Sequence, residues 1–260
     1  SMVIDTNLRN KDLKTTSLGT KSELRSRIEP WLTSLFQSEH LSLLVGSGLT
    51  TAIQYDACES ADNGMGNGSA FTVFSDEIEN AAKESAIRTG RKEANIEDRI
   101  RVANEVIRGL TVLQGNDDTL GISSNIDTLR AELEKVMEDF TNNISVIESS
   151  IAGAEPKKRE TAFNKLVLFL MSFASRTGTR DRLNIFTTNY DRLIEAGADV
   201  AGLRLIDRFV GALSPVFRSS RMDVDMHYNP PGIRGEPRYL EGVARFTKMH
   251  GSLDWINVGD

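Results

Sequence analysis

The sequence predicts an α/β protein: a parallel sheet with flanking helices, interrupted by a large helical insertion. Three observations carry this. Short apolar runs at residues 41–45 ("LSLLV") and 183–186 ("LNIF") each pass through a polar or glycine-rich junction into a helical pattern, the strand–turn–helix order of a parallel sheet. A third apolar stretch, "ARFTKMHGSLDWI", closes the chain as strand, turn, strand. Between the first and second runs, residues 75–175 carry helical periodicity with no convincing strand. The division expected is a flexible leader over 1–21, the first part of the sheet domain over 22–74, a helical insertion or layer over 75–175, and the remainder of the sheet domain over 176–260, leaving open that it continues past Asp260.

Bulk properties bound the function. At 260 residues the chain can bury a sizeable core as one large domain or two small ones. Its 31 basic and 37 acidic residues give a net charge of -6, which argues against a dedicated nucleic-acid surface, and direct nucleic-acid binding is not expected. Cys58 is the single cysteine, so no internal disulfide can form, and no Cys/His spacing supports a structural zinc; no metal is expected. This fits a reducing compartment, and the location expected is cytoplasmic. No apolar run is long enough to span a bilayer and no signal peptide is recognisable, so no membrane association is expected.

Element by element, Ser22 is placed to cap a helix running to about Phe36, with Leu24, Ile28, Trp31, Leu32 and Leu35 on one face and a kink expected at Pro30. Leu41–Val45 suits a strand buried on both faces. Gly46, Ser47 and Gly48 read as a tight turn, with a helix starting near Leu49 or Thr50, and "SADNGMGNGSA" reads as a loop. Ser75 opens a helix through Ile87; Ile96 to Leu110 marks the next. Ile126, Leu129, Leu133, Val136, Met137, Phe140, Ile144 and Ile147 recur at steps of three and four, with one neighbouring pair, and trace a third. Glu155-Pro156 opens a fourth containing "LVLFLMSFA". After the "LNIF" strand, "YDRLIEAGADV" reads as a helix, "LRLIDRFV" as holding a strand, and "MDVDMHY" as a half-buried alternating strand.

Three clusters carry candidate chemistry, and each has a bland alternative. "VGSGLT" offers backbone N–H groups and a positive helix end to a phosphate, yet a GxG between strand and helix is as often a tight connection, and the full GxGxxG fingerprint is absent. Thr187-Thr188-Asn189-Tyr190-Asp191 lies where ligands bind in an open parallel sheet; the competing reading is a helix cap from Thr188 or Asn189. His250-Gly251-Ser252 places an imidazole capable of base chemistry at a strand end; a structural histidine bonded to a turn is the alternative. His40 and His227 lack such a setting and read as structural or exposed.

In order along the chain, Gly46-Ser47-Gly48-Leu49-Thr50, Thr187-Thr188-Asn189-Tyr190-Asp191 and His250-Gly251-Ser252 resemble the Gly-Ala-Gly-Ile-Ser/Thr, Thr-Gln-Asn-x-Asp and His-Gly segments of the sirtuin family, and in particular its divergent bacterial branch of NAD-consuming anti-phage defence proteins. The resemblance implies a Rossmann-like parallel sheet and a site for NAD as substrate. It implies phosphate binding by Gly46, Ser47, Gly48 and Thr50, and a nicotinamide ribose and attacking water held by Asn189. Asp191 would bind the nicotinamide amide or order the pocket. His250 would be the general base, and Thr187, Thr188, Gly251 and Ser252 would support the dinucleotide.

The departures matter too. Deacylating sirtuins carry a four-cysteine zinc module, which one cysteine cannot supply. They also continue after the first turn with Gly-Ile-Pro-Asp-Phe-Arg, where this chain reads "TAIQYDACESADNGMG". The expectation is therefore an NAD glycohydrolase yielding nicotinamide and ADP-ribose. The alternatives are protein deacylation or ADP-ribosyl transfer, or a non-catalytic NAD or ADP-ribose sensor or adaptor. Such an activity would be toxic if unrestrained, so control is expected through the helical block, through homo-oligomerisation by the apolar faces of the insertion helices, or through a partner, which by analogy with the same branch is a HerA-type ATPase or other defence protein.

Overall fold

The computed structural model describes residues 21–61, 69–115, 118, 120–174, 181–211, 213–220, 224–232 and 238–255. The leader over 1–20, the centre of the glycine-rich loop at 62–68 and the end of the chain after Trp255 lie outside the described residues.

The described chain runs α1 (Lys21–Phe36), β1 (Ser42–Val45), α2 (Ser47–Cys58), α3 (Ser75–Arg88), α4 (Ile96–Gln114), α5 (Ser123–Ala152), α6 (Pro156–Ala174), β2 (Leu183–Thr187), α7 (Leu193–Ala201), β3 (Arg204–Ile206), β4 (Phe209–Val210), β5 (Val216–Phe217), β6 (His227–Tyr228), β7 (Arg238–Tyr239) and β8 (Val243–Lys248). Four strands form one sheet in the order β1-β2-β8-β3, and every pair in it is parallel. The α/β class and the parallel sheet are thus observed. Two antiparallel hairpins, β4-β5 and β6-β7, lie outside that sheet. Arg182 ties the second hairpin down: its guanidinium donates to Asp225 at 3.0 Å and to the Met226 carbonyl at 2.9 Å, and lies over the Tyr239 ring.

Register decides which side chains share a face. Leu43 pairs with Ile185, and Ile185 with Phe246. This row is buried under α2, α5, α6 and α7 in one core that also holds Ile53, Ile151, Leu166, Leu170 and Ile194. Leu44, Phe186 and Thr247 form the row on the opposite face, and there Leu44 is 69% exposed. The expectation that Leu41–Val45 is buried on both faces is corrected: burial alternates along β1, because the described helices cover a single face of the sheet.

A second core joins α3, α4 and the first two-thirds of α5, through Ile78, Ala82, Ile96, Val102, Leu129, Val136, Phe140 and Ile144. The four predicted helices therefore divide. α3, α4 and most of α5 form a block of their own, while α6 lies on the sheet between α2 and α7. α5 serves both cores, since Ile147 and Ile151 near its end pack against the sheet. The three-and-four spacing read along residues 126–147 is the stripe that does this, except that Met137 is exposed and belongs to neither core.

Several local expectations are corrected. The face predicted for α1 is open, with Ile28, Trp31 and Leu35 exposed. Of "MDVDMHY", only His227–Tyr228 is a strand, and it is exposed; residues 221–223 lie outside the described set. After β8 the chain turns instead of forming a further strand as far as Trp255.

Helix α7 crosses α6 at Gly197, where an added Cβ would lie 2.7 Å from Leu166 Cδ2 and 2.8 Å from its Cγ. A branched buried leucine cannot retreat from that contact without repacking. Gly197→Ala is expected to destabilise the fold by about 1–3 kcal/mol through overpacking, measured by denaturant unfolding. An unchanged midpoint would show that the two helices are not held this closely.

Candidate functional site

The three sequence clusters meet at the C-terminal edge of the sheet. Helix α2 starts at Ser47, directly after β1, with Gly46 as its N-cap and no side-chain capping bond. The expected turn at Gly46–Gly48 is thus the start of the helix itself, whose first N–H groups have no intrahelical acceptor. An added Cβ at Gly46 would lie 3.9 Å from Thr188 Oγ1, and one at Gly48 would meet nothing within 4 Å. Among the described residues, no close contact requires glycine at either position.

The β2–α7 junction is built by local hydrogen bonds. Thr187 is buried in the sheet and its Oγ1 accepts the Asn189 N–H at 3.0 Å. Asn189 Nδ2 donates to the Gly46 carbonyl at 3.1 Å and to Thr50 Oγ1 at 3.0 Å. Thr50 Oγ1 donates onward to Asp191 Oδ2 at 2.6 Å, and Asp191 Oδ1 accepts the Leu193 N–H at 3.1 Å. A carbonyl can only accept, so the Asn189 amide nitrogen faces the protein and its oxygen faces away from Gly46. Asn189 therefore offers an acceptor toward the cavity. Helix α7 begins at Leu193 with Arg192 as its N-cap, whose side chain makes no capping bond; the side chain that meets the helix start is that of Asp191. The capping reading for Thr188 and Asn189 is set aside.

Asn189 opens onto a cavity of about 380 Å³, a size suited to part of a dinucleotide or a smaller ligand. Of the predicted residues, Ser47, Thr50, Thr188, Asn189, Asp191 and His250 line it. Gly46 touches it indirectly, through the carbonyl that holds Asn189. Gly48, Thr187, Gly251 and Ser252 are not among its lining residues. Ser252 instead accepts from the Lys248 ammonium at 2.7 Å. Gly251 has a φ of +36°, and a Cβ there would lie 2.7 Å from Tyr190 Cε1; its role is to let the Tyr190 ring lie against the chain.

The opposite wall comes from the helical block. Arg91, Asn95, Glu97 and Asp98 at the α3–α4 corner, with Phe140, Ile144 and Ile147 of α5, complete the lining. A capping box fixes that corner: the Asn95 side chain accepts from the Asp98 N–H, and the Asp98 side chain accepts from the Asn95 N–H. Arg91 donates to Asp98 at 2.8 Å and holds its carboxyl below the usual carboxylate range. Tyr190 bridges the walls. Its ring meets Phe140 edge-on at 5.1 Å and His250 at 4.7 Å, and its hydroxyl donates to Glu97 Oε1 at 2.9 Å. Burial, with Glu97 as acceptor, raises the Tyr190 pKa beyond its ordinary value, so the phenol remains a donor. His250 Nε2 lies 3.9 Å from the same Glu97 oxygen. The α3–α4 corner was missed from sequence, although the Asn95–Asp98 spacing is a helix-start signal that could have placed it.

Beneath this junction Lys248 is buried. Its ammonium donates to the Asp191 carbonyl at 2.7 Å and pairs with Glu195 at 3.0 Å. Among the described residues no group of three or more His, Cys, Asp or Glu side chains is placed to hold a metal, and no helix is long and apolar enough to cross a membrane. The class defined by fold and cavity is a parallel α/β protein with a cavity at its strand ends. The chain matches no protein-family model and no curated protein.

Glu195 gives a pH test of the junction. Burial raises its carboxyl above the ordinary range, and Lys248 pulls it partly back. The folded state then binds this proton more tightly than the unfolded chain. The contribution of Glu195 to stability is complete below the unfolded pKa and is lost as pH rises through the raised folded value. Glu195→Gln is expected to flatten that decline as pH rises above the ordinary glutamate range, read by denaturant unfolding across pH. Identical pH profiles for the two proteins would contradict the burial.

Proposed function

We propose that the protein is a sirtuin-like NAD glycohydrolase that releases nicotinamide and ADP-ribose. The observation that supports this best is the meeting of three separated clusters, Ser47/Thr50, Thr188–Asp191 and His250, on one cavity. The start of α2 supplies backbone donors and a positive helix end for the phosphates. Asn189, its amide nitrogen anchored on Gly46 and Thr50, presents an oxygen acceptor to a ribose hydroxyl or a water. Asp191, with both oxygens engaged by Thr50 and Leu193, orders this arrangement in preference to touching the ligand.

The chemistry suits these groups. The bond between ribose C1′ and the pyridinium nitrogen breaks, and its electron pair leaves with neutral nicotinamide, so no strong acid is needed. C1′ becomes cation-like, as in glycoside hydrolysis. Water held by Asn189 bonds to C1′, and its proton passes to His250 and on to solvent. The resemblance further places the activity in bacterial anti-phage defence by NAD depletion, under control of self-association or of a partner such as a HerA-type ATPase. Exposed Trp31, Ile28 and Leu35 on α1 suit self-association, and a monomeric mass at micromolar concentration would count against it.

The test is nicotinamide release from NAD by the wild type, Asn189→Ala and His250→Ala. Asn189→Ala is expected to lower kcat about 10²-fold through misplaced water and ribose. His250→Ala is expected to lower it about 10²–10⁴-fold. Equal rates in all three proteins would remove the site assignment. Tight NAD binding with no release in the wild type would support the sensor instead, and NAD loss strictly dependent on a modified acceptor would support transfer or deacylation.

A further inference from the structure

The reaction proposed above creates positive charge at C1′, and the residues assigned so far supply no anion to face it. Three carboxylates line the cavity: Glu97, Asp98 and Asp191. Two are fully used by the protein. Asp98 accepts from Arg91 on one oxygen and from the Asn95 N–H on the other. Asp191 accepts from Thr50 on one and from the Leu193 N–H on the other. Glu97 differs. Its Oε1 accepts the Tyr190 hydroxyl and lies 3.9 Å from His250 Nε2, while its Oε2 takes no protein donor among the described residues. Its side chain is 38% exposed, on the cavity wall.

Its support is rigid. Glu97 lies in the first turn of α4, between the two partners of the Asn95–Asp98 capping box. Tyr190 holds the carboxylate from the sheet side, and its ring is pinned by Phe140 and by close contact at Gly251. A carboxylate with one oxygen anchored and the other open to the cavity has the arrangement needed to stabilise a developing cation without reorganising.

We propose that Glu97 is a catalytic carboxylate of the NAD cleavage, supplied by the helical block and facing C1′ as its bond to nicotinamide breaks. The assignment rests on the NAD-cleavage reading of the site. No covalent bond to Glu97 is formed: the C1′–N pair leaves with nicotinamide, the carboxylate offsets the charge left on the ribose, and water closes the reaction with its proton going to His250. The helical insertion is then a part of the active site, because without it the cavity holds no carboxylate with a free oxygen.

The experiment uses the full chain and measures nicotinamide release. Glu97→Gln keeps the shape of the side chain and an oxygen for the Tyr190 hydroxyl. It is expected to lower kcat by about 10²–10³-fold, with KM and the affinity for ADP-ribose changed less than about threefold and the thermal midpoint preserved. Glu97→Ala is expected to regain activity with added formate, which can supply a carboxylate to the vacated space. Tyr190→Phe, which removes only the anchor, is expected to lose far less than Glu97→Gln. An active wild type with an equally active Glu97→Gln overturns this assignment and leaves the NAD-cleavage reading standing. A matching loss in Tyr190→Phe without formate rescue reduces Glu97 to a positioning residue and also overturns it. A wild type that binds NAD but releases no nicotinamide overturns the cleavage reading and this assignment with it.

Discussion

Everything at the candidate site depends on one helix belonging to two hydrophobic cores. Thirty residues long, α5 packs Leu129, Val136 and Phe140 among α3 and α4, then Ile147 and Ile151 against the sheet. The apolar stripe is continuous, so neither core can shift relative to the other without opening a seam along α5. The cavity lies at that seam. Phe140, Ile144 and Ile147, three consecutive members of the stripe, line it, and the same residues that weld the two bodies form the apolar floor of the site. Polar ties reinforce the weld at its edges, Tyr190 to Glu97 on one side and Arg192 to Glu148 on the other.

Within this frame the polar side chains solve a satisfaction problem. Strand ends and helix starts leave backbone groups without partners, and the Thr187–Asp191 segment supplies side chains to several of them at once. The Gly46 carbonyl, the Asn189 N–H and the Leu193 N–H are all met by side chains of that segment. The arrangement determines direction as well as stability. Because Asn189 spends its donors inward, what remains toward the cavity is an acceptor, and because Thr50 donates to Asp191, what Asn189 meets at Thr50 is also an acceptor. Buried Lys248 holds the Asp191 carbonyl from below, so the junction is also fixed on the side away from the cavity.

Much of the framework was legible in the residues. The parallel strand–helix units followed from "LSLLV" and "LNIF" and their junctions, and the α5 stripe followed from spacing alone. The polar crowding between Thr187 and Asp191 pointed to a site, and six of the predicted residues line one cavity. The remainder depended on partners far away in sequence. Whether Leu44 is covered depends on which helices cross the sheet, which no local pattern encodes. Glycine at positions 46 and 48 reads as a turn because the signal of a tight connection and of an uncapped helix start is the same. Gly251 carries no local mark of its purpose, since the ring it accommodates belongs to Tyr190. Arg91 and Glu97 look like ordinary surface charges in sequence, and only the packing of α4 against α5 turns them toward the strand ends.

The insertion also sets an order in time. Thr50 and Asp191 are hydrogen-bonded across 141 positions of chain, and β1 pairs with β2 across 142, Ser42 opposite Asn184. Closing a loop of that length as unstructured chain is slow, because ordering entropy is lost before any contact repays it. The contacts within α3, α4 and α5 are local by comparison and can form early, drawing β1 and β2 toward each other. Synthesis imposes the same sequence of events, since β2 and β8 leave the ribosome after the block is complete. The cavity therefore needs residues from both sides of the block, Ser47 and Thr50 before it and Thr188 to His250 after it, and a chain that stops short of His250 lacks part of the lining.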